Sequence, residues 1–462
     1  MYNDDTICAI STPAGTGAIA VIRVSGRDTV KICSGLLHFR NQGMDLKKAV
    51  SHTAYLVNIE ENNEITDECL ITLFRSPHAY TGEDVLEISC HGSYYIQQRI
   101  LQLLFSSGIR MAKPGEFTLR AFINGKMDLS QAEAVADLIA SASKSSHDLA
   151  IAQMRGGYSA QIKELRAQLL EFASLIELEL DFSQEDVEFA DRKKLDSLLI
   201  TLKKELNSLI RSFSSGNVLK HGIPVAIVGK PNSGKSTLLN ALLNEDKAIV
   251  SEIPGTTRDI IEDAIVINGI LFRFIDTAGL REAESIIESL GIEKTYEKIR
   301  QAKVILYVFD ITDIDIEEIK EVIEDFRDHI DDEEKQFILI GNKTDLLVEA
   351  PKHFSGFVEL ETIFISAKRK ENIHLISESL LKTVRLKDMN DTATVSNLRH
   401  YEALVKTLHD IENTEMGFFN NTPTDLISVD IKSALHHLGL ITGEVTTDEI
   451  LGNIFSNFCI GK

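Results

Sequence analysis

The clearest chemistry in the chain lies in the run Gly229-Lys-Pro-Asn-Ser-Gly-Lys-Ser-Thr237. It follows the apolar stretch Ile223-Pro-Val-Ala-Ile-Val228 and opens onto Leu238-Leu-Asn-Ala-Leu-Leu243, which suits a helix. Strand, glycine-rich loop and helix are the context a phosphate-binding loop requires. Gly229 and Gly234 let the backbone turn tightly, so that the N–H groups of Asn232, Ser233, Gly234, Lys235, Ser236 and Thr237 can converge on phosphate oxygens. The helix that follows points its positive end at the same anion. Lys235 can reach the outer phosphates, and the Ser236 hydroxyl can bind magnesium. A chance Gly/Lys/Ser loop is the competing reading, and the motifs downstream leave it no room.

Four further elements follow in the order a guanine-nucleotide site needs. Ser251, Glu252, Ile253 and Pro254 lead into Gly255-Thr256-Thr257-Arg-Asp259, and Thr257 is the expected second magnesium contact. Asp263-Ala-Ile-Val-Ile267 and Leu271-Phe-Arg-Phe-Ile275, joined by Asn268-Gly269, read as a β-hairpin. The second run ends in Asp276-Thr277-Ala278-Gly279, where Asp276 would join the magnesium shell and the Gly279 N–H would sense the outer phosphate. The strand-like Val304-Ile-Leu-Tyr-Val-Phe309 follows; then Phe337-Ile-Leu-Ile340 delivers Gly341-Asn342-Lys343-Thr-Asp345. The Asp345 carboxylate can accept two N–H donors from guanine, a pair adenine does not offer. Ile363-Phe-Ile365 then runs into Ser366-Ala367-Lys368, whose backbone would meet the guanine carbonyl. Each motif is weak alone; all five, ordered and at strand ends, imply GTP binding.

The groups that would cleave the nucleotide are harder to read. Lys235 and Asp276 supply charge and metal, but Leu280 stands where related enzymes place a water-orienting Gln. Glu288 is the candidate water-positioner; the alternative is that Glu282, Glu284 and Glu288 form a solvated helix face. For the added positive charge, the Asn232 amide oxygen could hold a monovalent cation beside the phosphates together with carbonyls of the following loop. Arg258 and Arg281 are the rivals.

The elements that must position these groups sit in a chain of 462 residues, long enough for two to four domains. Apolar content is 44% and charged content 26%, as in a globular protein that needs no membrane. No uncharged apolar run is long enough to span a bilayer, and the acidic start lacks a signal-peptide pattern, so cytoplasmic residence is expected. A net charge of −22 gives no general attraction to nucleic acid; an RNA partner would need a local patch. The five cysteines are scattered without a CxxC pair, which indicates neither zinc nor disulfides. Cys8, Cys33, Cys69 and Cys90 read as core thiols, while Cys459 stands three residues from the C-terminus.

Residues 1–122 read as a mixed α/β domain with strands at Thr6-Ile-Cys-Ala-Ile-Ser11, Ala18-Ile-Ala-Val-Ile-Arg-Val24, Cys69-Leu-Ile-Thr-Leu-Phe74 and Asp84-Val-Leu-Glu-Ile-Ser89, and a helix over 94–105. Arg23 and Glu87 are charges inside apolar strands; the pattern alone reads them as outward-facing. Residues 123–218 are helical by period, with a capping box expected at Ser130-Gln-Ala-Glu133 and breaks at Gly156-Gly157 and at the acidic 181–186. Leu165, Leu169, Phe172 and Ile176 make one stripe, and Leu195, Leu198, Leu202 and Leu206 another. Phe213-Ser-Ser-Gly-Asn217 reads as a linker. The nucleotide module spans 219–383, and 384–462 is helical again over 396–411 and 426–440. The simplest account is a Ras-like module inserted into a helical bundle, which follows an N-terminal α+β domain.

Further runs carry a resemblance. They are Thr12-Pro-Ala-Gly15, Ile22-Arg-Val-Ser-Gly26, Tyr80-Thr-Gly-Glu-Asp-Val-Leu-Glu87, His91-Gly92, Pro114-Gly-Glu-Phe117, Arg120-Ala-Phe122, Leu129-Ser-Gln-Ala-Glu133 and Phe458-Cys-Ile-Gly-Lys462. With the nucleotide motifs, the whole chain resembles the MnmE (TrmE) family of bacterial tRNA-modification GTPases. The resemblance implies a folate-binding-like N-terminal domain that also makes a homodimer. It implies a heterotetramer with the FAD-dependent partner MnmG, no membrane, and transfer of a (carboxymethyl)aminomethyl group to carbon 5 of the wobble uridine of certain tRNAs. The one-carbon unit would come from 5-formyl- or 5,10-methylene-tetrahydrofolate. By motif, Arg23, Glu87, Lys126 and Lys462 would line the folate pocket, which reverses the outward-facing reading of the two strand charges. Asn232, Ser251, Ile253 and Thr256 would bind potassium, Ser236 and Thr257 magnesium, and Glu288 would position water. The role of Cys459 stays open.

Two other readings compete. A ribosome-assembly GTPase of the Era or Der kind shares the Leu280-type substitution; Der would show two phosphate loops and Era a basic C-terminal domain, and this chain has neither feature. A folate-binding scaffold with a vestigial nucleotide module is opposed by intact Lys235, Ser236, Asp276 and Asp345.

Overall fold

A computed structural model describes residues 5–40, 43–62, 64–181, 192–244, 263–275, 299–313, 316–332, 335–347, 360–383, 394–420, 422–456 and 458–462. The chain divides into two compact units, one of residues 1–136, 153–198 and 410–462, the other of residues 137–152 and 199–409.

The first unit is built on seven strands: β1 (Ile7–Ile10), β2 (Ile19–Ser25), β3 (Leu37–Phe39), β4 (Thr53–Glu61), β5 (Glu64–Phe74), β6 (Val85–His91) and β7 (Arg110–Met111). Their order in the sheet is β3-β4-β5-β6-β2-β1-β7. All neighbours are antiparallel except β1 and β7. Side chains alternate across a sheet, so Ala20, Ile22 and Val24 of β2 point into one core with Ile71, Leu86 and Ile88. Helix α1 (Thr29–Cys33) and the longer α2 (Tyr94–Ser106) help close that face, the latter through Ile100, Leu101 and Leu104. Arg23 falls on the opposite face by the same period of two. There α3 (Glu116–Ile123) contributes Phe117 to a smaller core with Ile7, Ala9 and Ala112. Two of the strands, β3 and β4, carry no clear sequence signal; the first half of β4 alternates weakly because its outer positions Ala54 and Leu56 are apolar.

Helices complete the unit. They are α4 (Leu129–Ala140) and α5 (Lys144–Met154), which run across the division between the units, and α6 (Ser159–Asp181). Leu165, Leu169, Phe172 and Ile176 are all buried, as the stripe requires. The expected capping box shifts by two residues. Asp128 caps α4: its carboxylate accepts the Gln131 N–H at 2.9 Å, and the Gln131 side chain accepts the Asp128 N–H at 2.9 Å. Ser130 is instead a donor to the same carboxylate. The reason is that Asp128 also collects Ser159 and Lys163 from α6, a pairing invisible to a local pattern.

The second unit holds β8 (Ile223–Val228), β9 (Asp263–Ile267), β10 (Ile270–Phe274), β11 (Val304–Asp310), β12 (Gln336–Asn342) and β13 (Thr362–Phe364). Their order is β13-β12-β11-β8-β10-β9, parallel but for β9. β11 is buried on both faces, Val304, Leu306 and Val308 against one core and Ile305, Tyr307 and Phe309 against the other. That is why it reads as an unbroken apolar run. The helices are α7 (Arg192–His221), α8 (Lys235–Leu243), α9 (Ile316–Asp325), α10 (Arg327–Ile330), α11 (Ile373–Thr383) and α12 (Leu398–Phe419); α7 and α12 continue into residues of the first unit, which also holds α13 (Thr424–Thr442) and α14 (Asp448–Ser456).

The linker expected at 213–217 is helix: α7 runs through it without a break. Packing overrides the weak helix propensity of Ser-Ser-Gly-Asn. Phe213 stacks on Tyr401 with ring centroids 4.4 Å apart, and the Ser212 hydroxyl accepts the Val395 N–H at 3.0 Å. Gly216 lets the chain at Val395 lie against the helix, since a Cβ there would stand 2.1 Å from the Val395 carbonyl oxygen.

Asp128 allows a test of this packing. Burial pushes its carboxyl up, but Lys163, the Gln131 N–H, Ser130 and Ser159 outweigh that and hold it below the usual carboxylate range. A lowered carboxylate contributes stability above its ordinary range that is lost as pH falls through the folded value. Asp128→Ala is therefore expected to cost about 2 kcal/mol at pH 7. In paired denaturation curves the gap to wild type should narrow below about pH 4; a gap that holds at low pH would contradict the assignment.

Candidate functional site

The phosphate loop leaves the end of β8 and enters α8. Gly229 and Gly234 both sit at positive φ, +144° and +97°, where a side chain is strained. Space forbids one as well: a Cβ on Gly229 would stand 2.0 Å from the Val308 carbonyl oxygen, and one on Gly234 2.1 Å from Asn342 Nδ2. Asn232 is also left-handed, at φ +62°. The Lys235 ammonium turns back on the loop, donating to the carbonyls of Gly229 at 2.9 Å and Lys230 at 2.8 Å. Burial holds this amine below its ordinary range. The Ser233 hydroxyl is buried and has no hydrogen-bond partner among the described residues. Among the described residues, a cradle closed to Cβ atoms, a buried hydroxyl with no partner and a lysine turned onto loop carbonyls fit a nucleotide phosphate tail. Ser236, first-turn residue of α8, would take magnesium there.

The base-reading end is organised by Asn342, the last residue of β12. It is buried; its Nδ2 donates to the Ser233 carbonyl at 2.9 Å, and its Oδ1 accepts the Ala367 N–H at 3.0 Å. One side chain thus ties the phosphate loop to the Ser366–Ala367 segment. Asp345 lies three residues on, its carboxylate taking the Ser366 hydroxyl at 2.7 Å. That bond holds the Asp345 carboxyl below the usual range, so the group stays an acceptor. The Ser366 hydroxyl in turn accepts the Arg369 N–H, and Lys368 follows in the same exposed turn. Lys343 adopts φ +69° and sends its ammonium to Asp310 at 2.5 Å. Asp310, at the end of β11, also takes the Thr312 hydroxyl and N–H. Asp310 and Thr312 were not singled out in the sequence; the signal was an acidic residue closing an apolar strand.

The structure therefore brings together Asn232, Ser233, Gly234, Lys235, Ser236, Thr237, Asn342, Lys343, Asp345, Ser366, Ala367 and Lys368. Ser251, Glu252, Ile253, Pro254, Gly255, Thr256, Thr257, Asp276, Thr277, Ala278, Gly279 and Glu288 lie outside the described residues.

A second cluster forms in the first unit. Arg23 and Glu87 are direct cross-strand partners on β2 and β6. The guanidinium gives Glu87 Oε1 two hydrogen bonds, at 3.0 and 2.8 Å. It lies over the Tyr80 and Phe117 rings, 5.6 and 5.7 Å from their centroids. The C-terminus reaches the same place: the Gly461 carbonyl accepts the Ser11 hydroxyl at 3.1 Å and an Arg23 N–H at 3.4 Å. Burial, with Arg23 nearby, lowers the Lys462 amine below its ordinary value. Two cations beside one carboxylate and two aromatic rings suit a flat, anionic ligand. Lys126 stands apart from these contacts, its ammonium donating to the Pro77 carbonyl at 2.7 Å. Ser11, Tyr80 and Phe117 were missed as site residues; the last two sit in runs recognised only as motifs.

The four buried thiols are set apart by their burial. Burial pushes Cys8, Cys33 and Cys69 up to about 12 and Cys90 to about 11, so they are inert at neutral pH. Cys459 is exposed.

Asp345→Asn replaces an acceptor by a group that is half donor. It should weaken binding of guanine nucleotides by about a hundredfold or more while improving xanthine nucleotides, measured by titration with each. Unchanged selectivity would remove Asp345 from base reading.

Comparison with known proteins agrees over the full length. Residues 6–126 match the family model described as GTP-binding protein TrmE N-terminus, and residues 129–459 match that of the MnmE helical domain. The chain is similar to the tRNA modification GTPase MnmE of Flavobacterium psychrophilum, 52% identical over 465 residues and covering 100% of both chains. The counterpart from Flavobacterium johnsoniae is 52% identical over 474 residues, and that from Bacteroides fragilis strain YCH46 50% over 468, each with 100% of both chains covered. Among the described residues no helix is long and apolar enough to cross a membrane. With both family models matched and these identities end to end, the chain belongs to the MnmE (TrmE) family of tRNA modification GTPases.

Proposed function

We propose that this protein is a potassium-stimulated GTP hydrolase that modifies the wobble uridine of certain tRNAs at carbon 5. It works in the cytoplasm as a homodimer with an FAD-dependent partner of the MnmG type, and installs a (carboxymethyl)aminomethyl group. The observation that carries the nucleotide half is Asn342, which holds the phosphate loop and the Ser366–Ala367 segment together beside the Asp345 carboxylate. Magnesium would be held by Ser236 and Thr257, potassium by Asn232 with Ser251, Ile253 and Thr256. Lys235 and Asp276 would stabilise charge, and Glu288 would orient the attacking water. The Arg23, Glu87 and Lys462 cluster supports a folate derivative as the one-carbon source. Lys126 is kept as a contact to the same ligand on the motif alone. Domain limits at 1–122, 123–218, 219–383 and 384–462 belong to the same reading.

Two experiments separate its halves. Nucleoside mass spectrometry of tRNA from cells lacking the gene should show loss of the 5-substituted wobble uridines, restored by wild type and not by Asp276→Ala. An unaltered profile would move the protein to another RNA-directed pathway. Deleting Lys462 should weaken tetrahydrofolate binding by about tenfold, the loss of one charge-assisted contact, with GTP affinity unmoved. Equal folate affinity would take the C-terminus out of that pocket.

A further inference from the structure

The nucleotide module is attached at more than its two ends. The turn between β9 and β10, Asn268-Gly269, meets the N-terminus of α5 inside the second unit. The Gly269 carbonyl accepts the Ser145 backbone N–H at 3.0 Å and the Ser145 hydroxyl at 2.8 Å. Both sides are built for this. First-turn N–H groups of a helix have no intrahelical acceptor and carry its positive end. Ser143 and Ser146 cap each other, the Ser146 N–H going to the Ser143 hydroxyl at 3.2 Å and the Ser143 N–H to the Ser146 hydroxyl at 3.1 Å. The Ser145 N–H is the first-turn donor that goes to the hairpin. On the hairpin, Asn268 and Gly269 both sit at positive φ, +49° and +83°, as a tight two-residue turn demands. A Cβ on Gly269 would lie 3.1 Å from the Lys144 Cβ, so the glycine also sets how closely the helix approaches.

A second strut lies nearby. Lys220, at the end of α7, pairs with Asp137 of α4 at 2.7 Å. Two residues later Gly222 packs against Leu271 of β10. Residues 137–152 therefore hold both the start of β8 and the tip of the hairpin. The hairpin's place in the chain gives this meaning. It separates 251–262, which contains Thr257, from 276–298, which contains Asp276 and Glu288. Its inner strand also pairs with β8, Phe272 opposite Ile223 and Phe274 opposite Val225, and β8 runs straight into the phosphate loop.

We propose that the Ser145–Gly269 contact is a coupling strut through which the nucleotide state of the module is transmitted to α5. The proposal rests on the reading of Thr257 and Asp276 as nucleotide-sensing residues. Ser145 is a positioning residue, with no contact to nucleotide required of it. A change at either flanking segment bears on a turn held from outside by two hydrogen bonds, so the two states differ in how well that contact is made.

The test uses the full-length protein and Ser145→Asp. An acidic residue in the first helical turn favours the helix, while its carboxylate repels the Gly269 carbonyl. Ser145→Thr keeps the hydroxyl and serves as the conservative control. In wild type, a non-hydrolysable GTP analogue should change amide exchange at residues 144–147 relative to GDP. In Ser145→Asp that response should vanish, nucleotide affinity and intrinsic hydrolysis should hold, and wobble-uridine modification in complemented cells should fall about tenfold. Ser145→Thr should behave as wild type. Exchange at α5 that ignores the nucleotide in wild type, or a Ser145→Asp protein with full modification, overturns the strut. Wild-type protein that binds no GTP overturns the nucleotide reading first and the strut with it.

Discussion

The nucleotide site depends on one buried amide. Asn342 is 3% exposed, and its two hydrogen bonds join loops that are far apart in sequence. Neither bond alone is worth more than about 1 kcal/mol net, but leaving the Ser233 carbonyl or the Ala367 N–H unpaired in that setting costs about 1–3 kcal/mol each. The arrangement is therefore all or none. It also explains Gly234: the amide stands where a Cβ would be, so the glycine is needed for the bridge as much as for the phosphate. With the bridge made, the loop that carries Lys235 and the turn that carries Asp345 are held together.

The sheet makes such a bridge possible. β8, β11, β12 and β13 are parallel neighbours, so their C-terminal ends lie on one edge, where an open α/β sheet binds ligands. Each end delivers something different: a phosphate loop, Asp310, Asn342 and Ser366. Their strands are apolar because both faces are covered, and polarity begins where the covering stops. The sequence motif and the strand end are thus one boundary seen in two ways.

That is why this site was legible in the sequence. Its groups are read locally, each from an apolar run followed by a short polar signature. The Arg23–Glu87 pair was not legible in the same way. A charge in a strand looks outward-facing until the register is known, and here the register sets the two opposite each other against aromatic rings from Tyr80 and Phe117. The α4 cap lies two residues earlier than expected: Asp128 and Gln131 make the reciprocal pair, and Ser159 and Lys163 of α6 add to the same carboxylate. At 213–217 local composition argued for a linker, and contacts from 394–401 made it helix. Local chemistry is written in the sequence at short range; charges placed by pairing are not.

The C-terminus carries the point furthest. Gly461 sits at φ +99°, and a Cβ there would stand 2.4 Å from the Ile10 carbonyl oxygen. The last residues can reach Arg23 only because that position lacks a side chain. Their anchor is equally tight upstream, where Gly115 leaves room for Phe455 and Phe458. Phe455 is buried with Leu129 and Ala132 of α4. The tail is thus fixed at one end by the helical residues and at the other by β1 and β2. The Arg23 cluster is therefore completed by Gly461 and Lys462, and its geometry depends on the helices that hold the tail. A shift of α14 would move Gly461 and Lys462 relative to Glu87 without changing any residue of the sheet, so the second cluster answers to the helical part of the first unit by geometry alone.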